Sequence, residues 1–189
     1  MQTSRPRHIF LTGVAGFIGF HVANALLDQG VAVTGVDNLN DYYPVALKRD
    51  RLALLGQREG FRFIELDIAD HAALKAAAPA DIGAVIHLAA QAGVRYSIEN
   101  PFAYAQSNLV GHLSVLEMVR HHPNRPRLAY ASSSSVYGDT AVAPYSETAR
   151  VDHPVSLYAA TKRSNELTSE AYAGLYGLAG RVLEERWGT

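Results

Sequence analysis

Short apolar segments alternate with longer segments of helical periodicity along most of this chain, and no other feature of the sequence constrains the fold as much. The pattern predicts strands at 8–12, 31–36, 61–66, 84–89 and 127–131, and helices at 17–29, 44–55, 71–78, 101–121 and 158–176. The strands are apolar on both faces, which is typical of a parallel sheet covered by helices on either side. Because crossovers between parallel strands are right-handed, the sequence predicts a doubly wound α/β sheet of the Rossmann type.

The composition is that of a globular domain and excludes several classes of function. The chain has 189 residues, 48% of them hydrophobic, and its net charge of -1 provides no positive field for nucleic acid or anionic lipid. Cysteine is absent, which excludes disulfides, thiolate catalysis and thiolate metal sites. The apolar run near the N-terminus is too short for a signal peptide or a membrane span. We therefore expect one domain over 1–189, in the cytoplasm, without a nucleic-acid, membrane or metal partner.

Three glycines, Gly13, Gly16 and Gly19, lie between the first predicted strand and the first predicted helix. In such a loop Gly13 allows a tight turn, Gly16 lets the backbone approach a pyrophosphate, and Gly19 lets the helix pack closely on the strand. The helix begins at Phe17 and Ile18, where free amides and partial positive charge favour phosphate. The glycines alone do not decide between such a site and a strand–helix turn that binds no ligand.

An acidic residue at the end of the second strand favours the phosphate site. Asp37 lies 24 residues after Gly13, where a carboxylate accepts hydrogen bonds from the ribose hydroxyls of a dinucleotide. Its charge would repel a 2′-phosphate, and no arginine follows immediately to offset it, so the sequence favours NAD over NADP. Asn38 extends the same segment. Asp67 and Ile68 follow the third strand and could contact adenine, although an aspartate there could equally be a helix cap.

Tyr158 and Lys162 lie one helical turn apart at the start of the last predicted helix. A nearby ammonium group favours the phenolate form of a tyrosine, as a general base requires. An ordinary surface pair is the alternative, but the preceding strand ends in four serines, Ser132 to Ser135. The carboxyl ends of parallel strands present ligand groups at one edge of the sheet, so these features together predict a hydride-transfer site.

These residues resemble a known family, the extended short-chain dehydrogenase/reductases that act on nucleotide sugars, within the NAD-dependent epimerases and dehydratases. The resemblance rests on 12–19, Asp37, 87–90, the serine run and the Tyr158–Lys162 pair. The finer segments 37–43 and 91–101 are most similar to UDP-glucuronate 4-epimerases. The likeness covers about 7–178 of the chain.

The resemblance implies NAD as cofactor and a nucleotide sugar, a UDP-hexuronate, as substrate. By this resemblance Tyr158 is the base. Lys162 lowers the pKa of Tyr158 and binds a ribose of the cofactor, and the Ser133 hydroxyl binds the sugar O4. Ser134 and Ser135 would line the sugar site. Asn108 matches the family's helix asparagine near the cofactor, and ordinary helix packing is the alternative interpretation of this residue. The residues expected at the cofactor are Gly13, Gly16, Phe17, Ile18, Gly19, Asp37, Asn38, Asp67, Ile68, Leu88, Ala89, Ala90, Asn108, Tyr158 and Lys162.

Two positions favour one reaction of the family over others. The 4,6-dehydratases have Asp-Glu after the catalytic hydroxyl, and the related decarboxylases have Glu before Val-Tyr-Gly. Here those positions are Ser134 and Ser135, which carry protons poorly at neutral pH. This favours oxidation and re-reduction of the sugar at C4, with NAD regenerated in each turnover.

Two further residues have competing interpretations. Arg95 follows the fourth strand and could pair with a substrate carboxylate or phosphate, although a loop arginine is commonly just solvated. His87 lies in an apolar strand and is expected to be a core histidine with a hydrogen-bond partner.

The resemblance ends near 178. The segment AGRVLEERWGT shows no strand pattern, and the family's next strand and substrate domain are not recognisable. A truncated or frameshifted gene product and a chain cut back to its cofactor domain fit equally. Three hypotheses stay open: a UDP-glucuronate 4-epimerase, a non-catalytic NAD-binding module, and an epimerase or reductase for another nucleotide sugar. We expect this chain to bind the cofactor but to turn over a nucleotide sugar poorly. Holding the substrate in position supplies much of the rate enhancement, and the substrate domain that would hold the sugar is not recognisable.

The resemblance also implies a homodimer formed through the helices 101–121 and 158–176. Leu167, Ala171 and Leu175 recur at four-residue spacing in the second of these helices. This stripe could form part of the dimer interface or could cover the sheet.

Overall fold

A computed structural model describes residues 6–139, 144–146, 148–149, 151–178 and 180–183. Six parallel strands form one sheet in the order β3-β2-β1-β4-β5-β6. The strands are β1 (His8–Thr12), β2 (Ala32–Asp37), β3 (Phe61–Glu65), β4 (Ala84–His87), β5 (Arg127–Ala131) and β6 (Gly180–Leu183). The predicted doubly wound parallel sheet is confirmed.

Helices lie on both faces of the sheet, as predicted. They are α1 (Phe17–Asp28), α2 (Val45–Leu55), α3 (His71–Ala77), α4 (Tyr96–Glu99), α5 (Pro101–Tyr104), α6 (Gly111–His121) and α7 (Leu157–Tyr176). A π-helical segment, Ala105–Val110, joins α5 to α6, so the long helix predicted at 101–121 contains a change of pitch. None of the helices in the described part of the chain is both long and apolar enough to cross a membrane.

Two hydrophobic clusters cover the two faces of the sheet, and the alternation of side chains along β1 separates them. Phe10 belongs to the cluster that contains Leu116 of α6 and Leu128 of β5. Its neighbour Leu11 belongs to the cluster that contains Leu27 of α1 and other residues of α1, β2 and α2. Consecutive residues of a strand point to opposite faces, so a sheet that is buried on both sides favours adjacent apolar residues such as Phe10 and Leu11.

The expectation that the C-terminal segment has no strand was wrong. β6 pairs in parallel with β5, with Gly180 opposite Leu128 and Leu183 opposite Ala131. Four residues are too few to show a periodic pattern, and the strand is recognised by its hydrogen-bonded pairing with β5. The fourth predicted strand also ends earlier, at His87, because the amides of Leu88 and Ala89 donate to the side chain of Thr12.

We predict that Gly19→Ala destabilises the fold. A Cβ atom at Gly19 would meet the Gly13 carbonyl group and would lie 2.9 Å from the Cα of Val14. The backbone of the loop would have to move, so we expect the free energy of unfolding to fall by about 1–3 kcal/mol in urea titration. Gly174→Ala is the matched control, because that exposed helical position has nothing within 4 Å. Equal stability of the two variants would contradict the close packing of α1 on β1.

Candidate functional site

A cavity of about 340 Å³ opens at the carboxyl ends of the strands. Its lining runs from the segment after β3, past the glycine loop after β1, to the start of α7. The residues that line it are Gly13, Gly16, Phe17, Ile18, Gly19, Asp37, Asn38, Asn40, Tyr42, Tyr43, Lys48, Leu66, Asp67, Ile68, Leu88, Ala89, Ala90, Gln91, Ala92, Ser107, Ala131, Ser132, Tyr158 and Lys162. Two groups of predicted residues, which are far apart in the sequence, therefore share one cavity.

The glycine loop lines the cavity at the carboxyl end of β1. Gly13 has φ +74°, a conformation that favours glycine, and a Cβ there would lie 2.7 Å from the Ala89 nitrogen. α1 begins after Gly16, which has no side chain to accept a hydrogen bond from the first amides of the helix. These amides are left for another acceptor, as in sites that bind phosphate at a helix N-terminus. The loop therefore fits the pyrophosphate of a dinucleotide.

Asp37 lies at the end of β2, and its side chain is already held from several directions. One carboxylate oxygen accepts a hydrogen bond from the Leu39 amide at 2.9 Å, and the other accepts from the Ala15 amide at 3.2 Å. Lys48 of α2 places its Nζ 3.6 Å from the first of these oxygens. The carboxylate faces the cavity in a fixed orientation, as recognition of a ribose requires.

The predicted adenine contacts also lie on the cavity. Asn38 donates a hydrogen bond of 3.1 Å from Nδ2 to the carboxylate of Asp67, and Ile68 is buried beside them. Asp67 also accepts a hydrogen bond from the Ala69 amide, whereas the N-cap of α3 is Asp70. Asp67 is thus a turn residue at the cavity and does not cap the helix.

The loop after β4 is held against β1 by Thr12. Its Oγ1 accepts hydrogen bonds from the amides of Leu88 and Ala89 at 3.2 and 3.1 Å. Since these bonds occupy the oxygen as an acceptor, its proton is directed to Nδ1 of His87, 2.7 Å away. Burial lowers the pKa of His87 well below its ordinary value, which keeps the ring neutral and able to accept this bond. The expected core histidine is confirmed.

Asn108 lies in the π-helical segment, and its side chain contacts protein rather than the cavity. Its Oδ1 accepts from the Gln91 amide at 2.8 Å, and its Nδ2 donates to the Gln91 carbonyl and to Thr161 Oγ1, each at 3.0 Å. The neighbouring Ser107 lines the cavity instead. Asn108 therefore joins the loop after β4 to the helix that carries Tyr158. These contacts agree with a packing role for its side chain, which was the alternative to a contact with the cofactor.

Tyr158 and Lys162 lie on the first turns of α7, and both line the cavity. The Nζ of Lys162 donates to the Ala131 carbonyl at 3.1 Å, and the residue is 6% exposed. Tyr158 packs edge-to-face with Tyr104, with ring centroids 6.2 Å apart. Ser156 caps the helix by accepting a hydrogen bond from the Ala159 amide, which fixes where the helix begins.

The four serines after β5 divide into different environments. Ser132 lines the cavity and donates a short hydrogen bond to the carboxylate of Glu166 on α7. Ser133 caps a 3₁₀ turn, Ser134–Tyr137, by accepting from the Ser135 amide at 3.2 Å, and its hydroxyl is 2.9 Å from that of Ser135. Ser134 is exposed.

Arg95 is exposed at the start of α4 and does not belong to the residues that line the cavity. Sequence patterns also missed several lining residues, among them Asn40, Lys48, Gln91, Ser107 and Ser132. Ser132 belongs to the serine run, and Asn40 and Gln91 lie in the segments 37–43 and 91–101 on which the resemblance rests, but no pattern assigned a role to these residues. The others come from loops and helices whose side chains are oriented by the tertiary structure.

His112, below the cavity, is a buried histidine that stays neutral. It is 1% exposed, and its Nε2 lies 2.9 Å from Ser169 Oγ. Burial lowers its pKa to about 3, and the positive charge of Lys162 adds to the effect. In the unfolded chain an ordinary histidine has a pKa near 6.5, so between about pH 3 and 6.5 the unfolded state binds more protons. The contribution of neutral His112 to the free energy of unfolding is therefore complete above about pH 6.5 and decreases as the pH falls towards 3.

We predict that His112→Phe weakens the pH dependence of stability. From pH 7 to pH 5 the free energy of unfolding of the wild type should fall by about 2 kcal/mol more than that of the variant, measured by urea titration. His71→Phe, at an exposed position of α3, is the control and should keep the wild-type dependence. Parallel pH profiles for wild type and His112→Phe would show that folding does not lower the pKa of His112.

Comparison with known proteins identifies similar sequences along almost the entire chain. The model of the NAD dependent epimerase/dehydratase family matches residues 9–184. The protein CapI of Staphylococcus aureus is 52% identical over 171 residues, which are 90% of this chain and 51% of CapI. The UDP-glucuronate 4-epimerase of Thermodesulfobacterium geofontis is 49% identical over 90% of this chain and 53% of its own length. The chain thus spans about half the length of these curated relatives.

Solved structures show the same fold. The UDP-glucuronic acid 4-epimerase of Bacillus cereus, in complex with UDP-glucuronic acid and NAD, superposes with a TM-score of 0.81 and 34% sequence identity. The match covers 94% of this chain and 55% of that one. A UDP-glucose 4-epimerase of Thermotoga maritima with UDP-glucose also has a TM-score of 0.81, at 33% identity.

Proposed function

The chain belongs to the NAD dependent epimerase/dehydratase family, and from that premise we propose that it is the NAD-binding part of a nucleotide-sugar 4-epimerase, of the type that interconverts UDP-glucuronate and UDP-galacturonate. One observation carries the proposal: the glycine loop and Asp37 line the same cavity as Tyr158 and Lys162. The relatives that are named UDP-glucuronate 4-epimerases support the choice of sugar.

The residues present fit NAD. The amides at the start of α1 would hold the pyrophosphate, and the oriented carboxylate of Asp37 would accept the ribose hydroxyls. Asn38, Asp67 and Ile68 would border the adenine, while Leu88, Ala89 and Ala90 would cover the centre of the dinucleotide. Lys162 would anchor the second ribose. The side chain of Asn108 would act indirectly, by holding the loop after β4 in place.

When bound, NAD supplies a hydride acceptor that is reduced and then reoxidised within each turnover. Tyr158 is the proposed base: its phenolate would take the proton of the sugar C4 hydroxyl, and the resulting phenol would later return it. Lys162, whose ammonium group is held by the Ala131 carbonyl, would stabilise the phenolate form of that tyrosine.

The serines after β5 would bind the sugar. Ser133 is the proposed partner of O4, with Ser134 and Ser135 nearby, and Ser132 lines the cavity beside them. In this arrangement the hydroxyl of Ser133 would exchange its contact with Ser135 for one with the sugar. Serine hydroxyls at these positions can orient a substrate but cannot carry an elimination, which favours epimerisation. Arg95, exposed on the loop after β4, is the proposed contact for a substrate carboxylate or phosphate.

We predict that Tyr158→Phe removes turnover while it preserves cofactor binding. NAD binding is measured by calorimetry on the 189-residue chain. Turnover of UDP-glucuronate is measured on a fusion that adds the remaining part of the T. geofontis relative. A lost general base should lower kcat about 10²–10⁴-fold, and the dissociation constant for NAD should change less than about threefold.

Two outcomes would contradict this proposal. No NAD binding by the wild-type chain would exclude a cofactor domain, and activity of Tyr158→Phe within a few-fold of wild type would exclude Tyr158 as the base. NAD binding without turnover in the fusion would favour the non-catalytic NAD-binding module. Turnover of another UDP-sugar alone would identify an epimerase for that sugar.

We also propose a homodimer formed through α6 and α7. These two helices contact each other, and Leu113 of α6 and Leu167 and Leu175 of α7 are 44%, 51% and 72% exposed. Ala171 is exposed as well, so the stripe does not cover the sheet. Exposed leucines at this spacing are typical of a helix that packs against a partner.

Light scattering at micromolar concentration should show a dimer, and Leu167→Glu combined with Leu113→Glu should convert it to monomer. Leu54→Glu is the control, because this leucine is 57% exposed on α2. A monomeric wild type, or a dimer that survives the double substitution, would contradict the interface.

A further inference from the structure

Lys48 is a buried cation beside the predicted ribose site, and sequence patterns did not point to it. It lies on α2, which follows β2 after a loop, and it is only 7% exposed. Its Nζ donates to Asn40 Oδ1 at 3.0 Å and lies 3.6 Å from the Asp37 carboxylate. All three residues line the cavity.

The pair changes the electrostatic argument for cofactor choice. A lone buried carboxylate would repel a 2′-phosphate, which carries about -1.5 to -2 charges at neutral pH. Because an ammonium group lies within 4 Å of the carboxylate, the Asp37–Lys48 pair has no net charge, and its repulsion of the phosphate at longer range is weaker. What still disfavours the phosphate is the local geometry, since the carboxylate offers acceptors where a phosphate needs donors.

Lys48 also has few alternatives if the carboxylate is lost. It is 7% exposed, so its ammonium group is largely shielded from bulk water. Within the described part of the chain, the polar contact that would then remain to its ammonium group is the neutral Asn40. A buried ammonium without a counter-charge is costly, and an anion that enters the cavity would relieve this cost.

We propose that Lys48 is a second determinant of dinucleotide selectivity, an inference that rests on the proposed NAD site. In the wild type it neutralises and orients Asp37, so that the preference for NAD over NADP is smaller than a lone aspartate would produce. When Asp37 is replaced by a neutral residue, Lys48 becomes the ligand of the 2′-phosphate.

The test is a double-mutant cycle of Asp37→Ser and Lys48→Met, with calorimetric titration of NAD and NADP into each variant. Asp37→Ser should lower the ratio of the NADP to the NAD dissociation constant at least about 30-fold. Lys48→Met in that background should raise the ratio again at least about tenfold, which corresponds to about 1.4 kcal/mol. Lys48→Met alone should raise the wild-type ratio. The difference between the NADP affinities of Asp37→Ser with and without Lys48 should shrink in 0.5 M salt.

Lys75→Met is the matched control, because it makes the same change at an exposed position of α3 and should leave both affinities unchanged. If Asp37→Ser does not fold, as judged by its thermal transition, Asp37→Asn replaces it and keeps a hydrogen-bond acceptor. An NADP affinity of the Asp37 variant that is independent of Lys48 within about threefold would overturn the inference while NAD binding still supports the proposed site. Absence of NAD binding to the wild type would overturn both.

Discussion

The loops that follow β1 and β4 are fixed to each other at their base by Thr12, whose carbonyl and hydroxyl oxygens both accept hydrogen bonds from the loop after β4, and the cavity depends on these contacts. β1 and β4 are neighbours in the sheet, but the chain leaves β1 towards β2 on one side and leaves β4 towards β5 on the other. A crevice therefore opens between the two loops, as at the switch point of other doubly wound sheets. Thr12 Oγ1 spans its base by accepting the amides of Leu88 and Ala89. The base of the site therefore consists of main chain that is held by backbone hydrogen bonds and by the buried side chain of Thr12.

This arrangement explains why polar groups are buried under the site. Thr12 donates to His87, the ring of His87 lies 5.3 Å from that of His112, and His112 reaches Ser169 on α7. Two neutral histidines in contact require no counter-charge, whereas charged rings beside Lys162 would repel it. The depressed pKa values of both histidines are therefore consistent with the position of the lysine above them.

Much of the fold, and the part of the site formed by the glycine loop, Asp37, Tyr158 and Lys162, could be predicted from the sequence because each of these signals is local. The glycine spacing, the aspartate at a strand end and the Tyr158–Lys162 spacing each involve residues on a single loop or helix. The missed features depend on contacts between distant segments. β6 exists through its pairing with β5, Asn108 is defined by Gln91 and Thr161, and no local pattern indicates such partners. The π-helical segment likewise has no periodicity that distinguishes it from an α-helix over six residues.

The relation between Asp37 and α2 shows how a loop acquires a functional geometry. Leu39 has φ +52°, which is uncommon for a residue with a side chain, and its amide donates to Asp37. The turn reverses the chain just after β2, and Asn40 on its far side accepts the ammonium group of Lys48. Three polar contacts offset the cost of this backbone conformation. They are the Leu39 amide with Asp37, Lys48 with Asp37, and Lys48 with Asn40. The same turn that orients Asp37 therefore also determines where α2 presents its lysine.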